Sequence, residues 1–148
     1  MGQGLVHEAG DGIDDRAMRI ERLLAEVGQG EAIQRIDLVV RGDQDGHDAA
    51  AVLAVVARRF WGATIDVAGI WLQGIRSVSE VDIADAQDQG RTWRLVASAT
   101  PNCAKVEPTK VPMQSPLAWN HLADVVVVHL VRGGTVTLHA PRPRHVAA

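Results

Sequence analysis

The segment from Asp43 to Asp48 places three carboxylates and one imidazole within six consecutive positions, directly before an apolar run. Carboxylates crowded at the start of a helix raise one another's pKa while the helix dipole opposes that rise, so one proton can be shared among them. A shared proton beside a histidine suits general acid–base catalysis. The candidate catalytic residues are Asp48 as base or orienter, Asp43 as substrate holder and His47 as proton shuttle. The candidate substrate-binding residues are Asp43, Asp45 and Gly46.

The same residues also have purely structural interpretations. Asp48 precedes an alanine-rich helix and can serve as its N-cap. Asp43 and Asp45 lie in a glycine-flanked loop and can be ordinary turn residues. The segment superficially resembles a calcium loop, but it lacks the twelve-residue spacing and the terminal glutamate. We therefore expect no metal at this site.

Hydrophobic periodicity predicts the elements that position this segment. A strand at residues 36–40 precedes it and a nearly all-apolar helix at 49–60 follows it. Another helix begins at Asp14 or Asp15 and runs to about Val27, and a third covers about 79–87. Further strands are predicted at 64–71, 92–100, 104–113, 125–128 and 135–139, with Gly133-Gly134 as a hairpin turn. Pro108 and Pro112 favour an edge or bulged position.

These elements predict a single α+β domain, with about five strands in a mostly antiparallel sheet and helices packed on one face. The domain is expected to span residues 13–140, between a flexible N-terminus (1–12) and a flexible tail (141–148). The chain has 148 residues, a length that fits one domain.

Composition excludes several classes of protein. The net charge of −3 comes with no basic cluster, so nucleic-acid binding is not expected. No apolar run reaches the roughly 20 residues of a membrane span, and the N-terminus has no signal-peptide pattern. The single Cys103 fits a reducing cytoplasm and is expected to be an inert small residue.

Histidines and tryptophans elsewhere in the chain offer weaker candidates. His129 and His139 flank the predicted hairpin and share a face in one strand register but not in another. Together with His121 they could form a metal site, although scattered surface histidines are the commoner explanation. The four tryptophans are expected to be core residues, one of which could line a pocket.

The acidic segment carries the pattern D-x-x-G-x-D-A on Asp43, Gly46, Asp48 and Ala49. This pattern closely resembles the substrate-site motif of homoserine dehydrogenases, D-x-x-G-x-D-A-x-x-K. The final lysine of that motif is Val52 here. Positions 48 and 52 lie one helical turn apart and share a face. A lysine at position 52 could pass a proton to the substrate oxygen, whereas valine has no proton to give.

Later segments extend the resemblance in the family's order, over roughly residues 36–140. They are Trp71 to Ile75, Val81 to Ala86 with Gly90, Trp93 to Ala97, Val106 to Pro108, Val111-Pro112, and Ser115 to Ala118. The resemblance is to the catalytic domain of the family, and it implies a substrate-binding domain that dimerises through its sheet.

Other features of the family have no counterpart in the sequence. Gly2-Gln3-Gly4 and Gly28-Gln29-Gly30 begin a G-x-G pattern without the third glycine of a Rossmann fingerprint. The family's closing glycine-rich segment is Ala140 to Pro143 here. Its substrate-binding glutamate has no clear counterpart, although Asp37 lies in the right region inside a predicted strand. We therefore expect no cofactor and no autonomous NAD(P)-dependent dehydrogenase activity.

The leading hypothesis from sequence is a cofactor-independent acid–base enzyme, of isomerase, cyclase or lyase type. It would act on a small metabolite in cytoplasmic, specialised biosynthesis, as a homodimer formed through the sheet. One alternative is a non-catalytic module for metabolite binding or dimerisation. Another is one half of a split dehydrogenase whose nucleotide domain is a separate chain. A pocket lined by Asp43 and Asp48 favours the enzyme, whereas carboxylates that cap backbone favour the module.

Overall fold

The computed structural model describes residues 17–25, 33–41, 43–62, 66, 69–118 and 123–141. Three helices lie in these ranges: α1 at residues 17–25, α2 at His47–Trp61 and α3 at Glu80–Asp88. The strands there are β1 (Ile33–Val39), β2 (Trp71–Leu72), β3 (Arg91–Thr100), β4 (Cys103–Pro112), β5 (Ala123–Leu130) and β6 (Thr135–Pro141). Short 3-10 turns occur at Ile75–Ser77 and Pro116–Ala118.

All six strands belong to one sheet, in the order β2-β4-β3-β1-β5-β6. The pairs β1–β3, β1–β5, β3–β4 and β5–β6 are antiparallel, and the short pair β2–β4 is parallel. The α+β class and the mostly antiparallel sheet predicted from sequence are therefore confirmed, with six strands rather than about five.

Helices α1 and α2 cover one face of this sheet. Every other residue of a strand points to the same face, and Ile36 and Leu38 of β1 point toward the helices. They meet a core that includes Ile20 and Leu24 of α1, Val52, Leu53 and Val56 of α2, Ala97 of β3, and Val126 and Val128 of β5. Each such valine, leucine or isoleucine contributes about 1.5–3 kcal/mol by leaving water. The buried residues of this core are aliphatic side chains and alanines.

The residues that lie between these core positions along each strand point to the opposite face of the sheet, which we call the open face. Its residues include Arg35, Asp37 and Val39 of β1, Val96 and Ser98 of β3, Lys105 and Glu107 of β4, Val127 and His129 of β5, and Thr135 and Thr137 of β6. The turn Pro116–Ala118 lies over one part of this face, where Leu117 and Ala118 pack with Val39, Val96 and Val111. The rest of the face has no helix over it among the described residues.

Arg94 ties this turn to the sheet, since its Nη2 donates a hydrogen bond to the carbonyl oxygen of Ala118 at 2.8 Å. Burial, and to a smaller extent the charge of Arg41, lowers the pKa of the Arg94 guanidinium.

Helix α3 begins with a capping box. The Ser79 hydroxyl accepts a hydrogen bond from the Asp82 N–H at 3.1 Å, and the Asp82 carboxylate accepts one from the Ser79 N–H at 3.0 Å. The backbone hydrogen bond from Ser79 lowers the pKa of Asp82. The ionised Asp82 carboxylate therefore stabilises the start of α3 at pH values above its ordinary pKa. This stabilisation is lost as the pH falls through the lowered pKa of the folded state.

Strand β2 is shorter than the strand predicted over 64–71. In the described part of this segment, Trp71 pairs with Lys105 of β4 and Leu72 with Val106. Gly69 and Ile70 are not in a strand, and most of 63–68 lies outside the described residues. The other predicted strands form with shifted ends. Residues 1–12, the helix start at Asp14 or Asp15, and the tail beyond Pro141 also lie outside the described residues.

The prolines of β4 lie at the edge that the short β2 leaves open. The Val106 carbonyl points toward β2, where it accepts from the Gln73 N–H at 2.9 Å. Because backbone groups alternate in direction along a strand, those of Pro108 and Pro112 also point to the side of β2, away from β3. A proline has no N–H to offer, so these two positions hinder the addition of another strand, as the predicted edge role requires.

Gly46 lets the acidic loop approach the sheet closely. Its φ is +88°, in the left-handed region, and a Cβ there would lie 3.0 Å from Val106 Cγ1 and 3.3 Å from Leu72 Cγ. The position therefore requires glycine for both conformation and space. Gly62, at the other end of α2, has φ +64° with nothing within 4 Å of its Cβ position.

We predict that Gly46→Ala lowers the free energy of unfolding by about 1–3 kcal/mol more than Gly62→Ala. In both variants alanine must adopt the left-handed backbone conformation, which costs about 1–2 kcal/mol, and only Gly46→Ala also overpacks the core. Urea denaturation followed by circular dichroism measures both. Equal losses in the two variants would contradict the close approach.

Candidate functional site

The Asp43 carboxylate caps the start of α2 with both of its oxygens. Its Oδ1 accepts from the Gly46 N–H and its Oδ2 from the Ala49 N–H, each at 2.9 Å. These donors belong to the four N–H groups that a helix start leaves without intrahelical partners. The side chain is half-buried. Asp43 thus fixes the loop to the helix, and both of its carboxylate oxygens accept hydrogen bonds from backbone N–H groups.

Hydrogen bonds from other elements hold the remainder of the loop. At its start, the Arg41 N–H donates to Oδ1 of Asp124, a fully buried residue of β5, at 3.0 Å. Further on, the Ile75 N–H donates to the Gln44 carbonyl at 3.0 Å. Gly74 approaches so closely that a Cβ on it would lie 3.1 Å from the Gln44 oxygen. The loop is therefore anchored to β5 on one side and to the 74–75 turn on the other.

The other candidate side chains lie around the same helix start and differ in exposure. Asp45 and His47 are exposed and Asp48 is half-buried. The N-cap of α2 is Gly46, so Asp48 lies in the first turn of the helix rather than at the N-cap position expected for it. A carboxylate in the first turn still complements the helix dipole. The structure therefore brings Asp43, Asp45, Gly46, His47 and Asp48 together at one helix start.

Val52, which replaces the motif lysine, is completely buried. It lies one turn after Asp48 and belongs to the core between α2 and the sheet. An aliphatic side chain at this place packs well and offers no proton. The face shared by positions 48 and 52 therefore contributes to packing and has no ammonium group.

A cleft of about 680 Å³ lies on the open face, and none of its lining residues comes from the acidic loop. At its floor is the Asp37 carboxylate, only 6% exposed. Its Oδ1 accepts from the Ser98 hydroxyl at 2.6 Å, and its Oδ2 accepts from Arg35 Nη2 at 2.8 Å and His129 Nε2 at 2.7 Å. These four side chains, the Asp37 network, join three adjacent strands through one buried carboxylate.

Sequence reasoning placed Asp37 inside a strand and gave it no role. The available signal was a carboxylate inside the otherwise apolar Ile36-Asp37-Leu38-Val39-Val40, because a buried charge requires partners. Its partners are remote, since Ser98 and His129 lie 61 and 92 residues further along. Strand order and register, which the sequence pattern does not provide, determine that they meet.

Other candidates have mixed outcomes. His129 and His139 do point to the same face, but they pair with Thr135 and Val125 in separate rows of the sheet. Among the described residues, no three His, Cys, Asp or Glu side chains are placed to hold a metal ion, and His121 lies outside them. Cys103 is exposed at the cleft. No helix in the described part of the chain is long and apolar enough to cross a membrane.

The tryptophans differ in environment. Trp61 Nε1 donates to the Ile33 carbonyl at 2.9 Å, and Trp93 Nε1 donates to the Asp82 carbonyl at 3.1 Å. The expectation of a core role is wrong for Trp71, which is 63% exposed because β2 lies at the sheet edge. Trp119 lies outside the described residues.

Comparison with known proteins gives a consistent result. The homoserine dehydrogenase family model matches residues 22–143. The chain is 32% identical over 85 residues to the homoserine dehydrogenase of Corynebacterium glutamicum, which covers 51% of this chain and 19% of that protein. It is 29% identical over 97 residues to an NAD(+)-dependent homoserine dehydrogenase of Pseudomonas canavaninivorans, covering 62% of this chain and 28% of that protein.

Solved structures agree on the fold. The homoserine dehydrogenase of Thiobacillus denitrificans superposes with a TM-score of 0.72 at 16% identity, over 82% of this chain and 38% of that one. The chain thus spans less than a third of the length of these curated relatives and under half of that structure.

We predict that Asp43→Ala lowers the free energy of unfolding by about 1–2 kcal/mol, because two N–H groups at the start of α2 lose their acceptor. Asp43→Asn recovers part of the loss, since one acceptor oxygen remains. Asp45→Ala, at an exposed position of the same loop, changes stability by less than about 0.5 kcal/mol. Chemical denaturation of the three variants measures these differences, and equal effects at positions 43 and 45 would rule out the cap.

Proposed function

Because this chain belongs to the homoserine dehydrogenase family, we propose that it acts as a non-catalytic dimerisation module with the catalytic-domain fold. The observation that carries this proposal is the open face, a grooved sheet surface with no helix over most of it among the described residues. The expected acid–base centre offers less support, because Asp43 spends both carboxylate oxygens on backbone and Val52 is buried in place of a lysine.

The side chains of the open face are arranged as in a protein interface. Val127 lies on this face beside the Pro116–Ala118 turn, under which Val39 and Val96 pack, and polar side chains of β1, β4 and β6 surround it. Aliphatic centres bordered by polar groups are typical of specific interfaces. The charged groups are of both signs, with Arg35 paired to Asp37 at 2.8 Å and Lys105 to Glu107 at 3.0 Å. A second copy of the same near-neutral face therefore meets no net repulsion.

The size of this face is also sufficient. Strands about 4.8 Å apart with a rise of about 3.4 Å per residue give the five longer strands, of seven to ten residues each, a projected area of roughly 700 Å². The accessible area is larger because side chains stand out from the sheet, and a stable interface needs about 800 Å² per partner. A second copy packed by two-fold symmetry brings the same surface from each side.

We predict that the chain sediments as a dimer at about pH 8 and micromolar concentration, a range in which many specific interfaces are occupied. Thr137→Arg, which puts a charge on a half-buried position of the open face, raises the dissociation constant about tenfold or more. Gln87→Arg, at an exposed position of α3, adds the same charge away from the sheet and leaves the dimer unchanged. A monomeric wild-type chain, or equal effects of both variants, would refute the proposal.

The second candidate function is the acid–base enzyme predicted from sequence. The observation that favours it is the position of Asp45, His47 and Asp48, which lie together at the start of α2, with Asp45 and His47 exposed. In this candidate Asp48 acts as base, His47 carries the proton, and Asp43 with Asp45 and Gly46 shapes the binding loop. A small metabolite with an amino group would be its substrate.

We predict for this candidate that a screen of small amines and amino acids raises the melting temperature of the chain, and that Asp48→Asn or His47→Gln abolishes the increase. Arg58→Gln, an exposed change at the other end of α2, is the control and keeps the increase. If no compound shifts the melting temperature, or if the shift survives Asp48→Asn, the acidic loop is not a ligand site.

A further inference from the structure

The structure assigns a control to this interface: we propose that protonation of His129 weakens self-association, so that mild acidification separates the two copies. This inference rests on the proposed dimerisation through the open face. It arises from the Asp37 network, which lies on β1, β3 and β5, three adjacent strands in the middle of the six-stranded sheet. A face-to-face pair removes this central region from water most completely.

The charge of the Asp37 network depends on one imidazole. Asp37 and Arg35 carry opposite charges and are paired at 2.8 Å. The carboxylate only accepts hydrogen bonds, so His129 Nε2, at 2.7 Å from it, carries the ring proton. With a neutral imidazole the network has a net charge of zero. With the second proton on Nδ1 its net charge is +1.

Among the described residues, the side chains around His129 are the following. From β1 it faces Arg35 and Asp37, and Arg35 Nη2 lies 3.3 Å from its Nε2. From β6 the residue across is Thr135, and β3 contributes Ser98. Further along the open face are Lys105 and Glu107, which pair with each other at 3.0 Å, Arg94 and His139; Arg132 lies in the exposed β5–β6 hairpin turn.

A two-fold pair presents the same network from both copies, so protonation puts two like charges into one desolvated interface. Two positive charges repel strongly where water is excluded, whereas in separate copies water screens each of them. The His129 side chain is 27% exposed in the single chain, so water reaches it there. Histidine takes up its proton between about pH 8 and pH 5, which sets the range of the effect.

The experiment measures the dissociation constant of the full chain by analytical ultracentrifugation at about pH 8 and about pH 5.5. The expected result is an increase of about tenfold or more at the lower pH, equivalent to about 1.4 kcal/mol. His129→Gln keeps a donor to Asp37 without a charge, and it removes the difference between the two pH values. Circular dichroism at both pH values verifies folding.

A second measurement does not depend on the variant. The ring signals of His129 in NMR titrations are followed with the chain diluted below and concentrated above its dissociation constant. We expect the proton uptake of His129 to move to lower pH on concentration. A dimer equally stable at both pH values, a His129→Gln variant that keeps the pH effect, or an unchanged titration overturns this inference alone. A chain that is monomeric at both pH values overturns the proposed dimerisation and with it this inference.

Discussion

The buried carboxylate of Asp37 is the constraint on which the open face depends. A charge that is 6% exposed in the middle of a sheet requires donors, and Ser98, Arg35 and His129 provide them from its own strand and from both neighbouring strands. A one-residue slip of β1 would turn Asp37 into the aliphatic core and Ile36 or Leu38 onto the open face. The network therefore fixes the register of the central strands and places a titratable group at the centre of the surface.

The acidic loop is a second constraint, with a different consequence. Asp43, Gly46 and Asp48 keep the spacing of the family's substrate motif, and the geometry gives Asp43 and Gly46 structural roles in it. Asp43 caps two backbone N–H groups, Gly46 lies against Val106 and Leu72, and Val52 fills the core. In this chain the motif provides a stable joint between helix and sheet. The same residues can satisfy the requirements of the fold without any chemistry at the loop.

Much of the fold could be predicted from the sequence because its signals are local. The alternation in Thr92 to Thr100, the valine run at 125–128 and the Gly133-Gly134 turn each predict the observed strand or hairpin. The start of β2 at Trp71 could not be predicted, because Gly69 and Ile70 continue the same apolar stretch and strand pairing there depends on a partner strand that the pattern does not show. In the candidate site, the loop was predictable from its residue types. That Gly46 rather than Asp48 is the N-cap depends on the positive φ of Gly46, which the residue types do not show.

The Asp37 network shows why surfaces are harder to predict than elements. Its residues are scattered between positions 35 and 129, and only the strand order makes them neighbours.

The central claim is that this surface meets a second copy, and solvent paramagnetic relaxation of methyl groups tests it most directly. The methyls of Thr135 and Thr137 on the open face should lose relaxation when the protein is concentrated, while the exposed methyls of Val81 on α3 keep theirs. Unchanged relaxation at Thr135 and Thr137 in a sample that has dimerised would contradict the account.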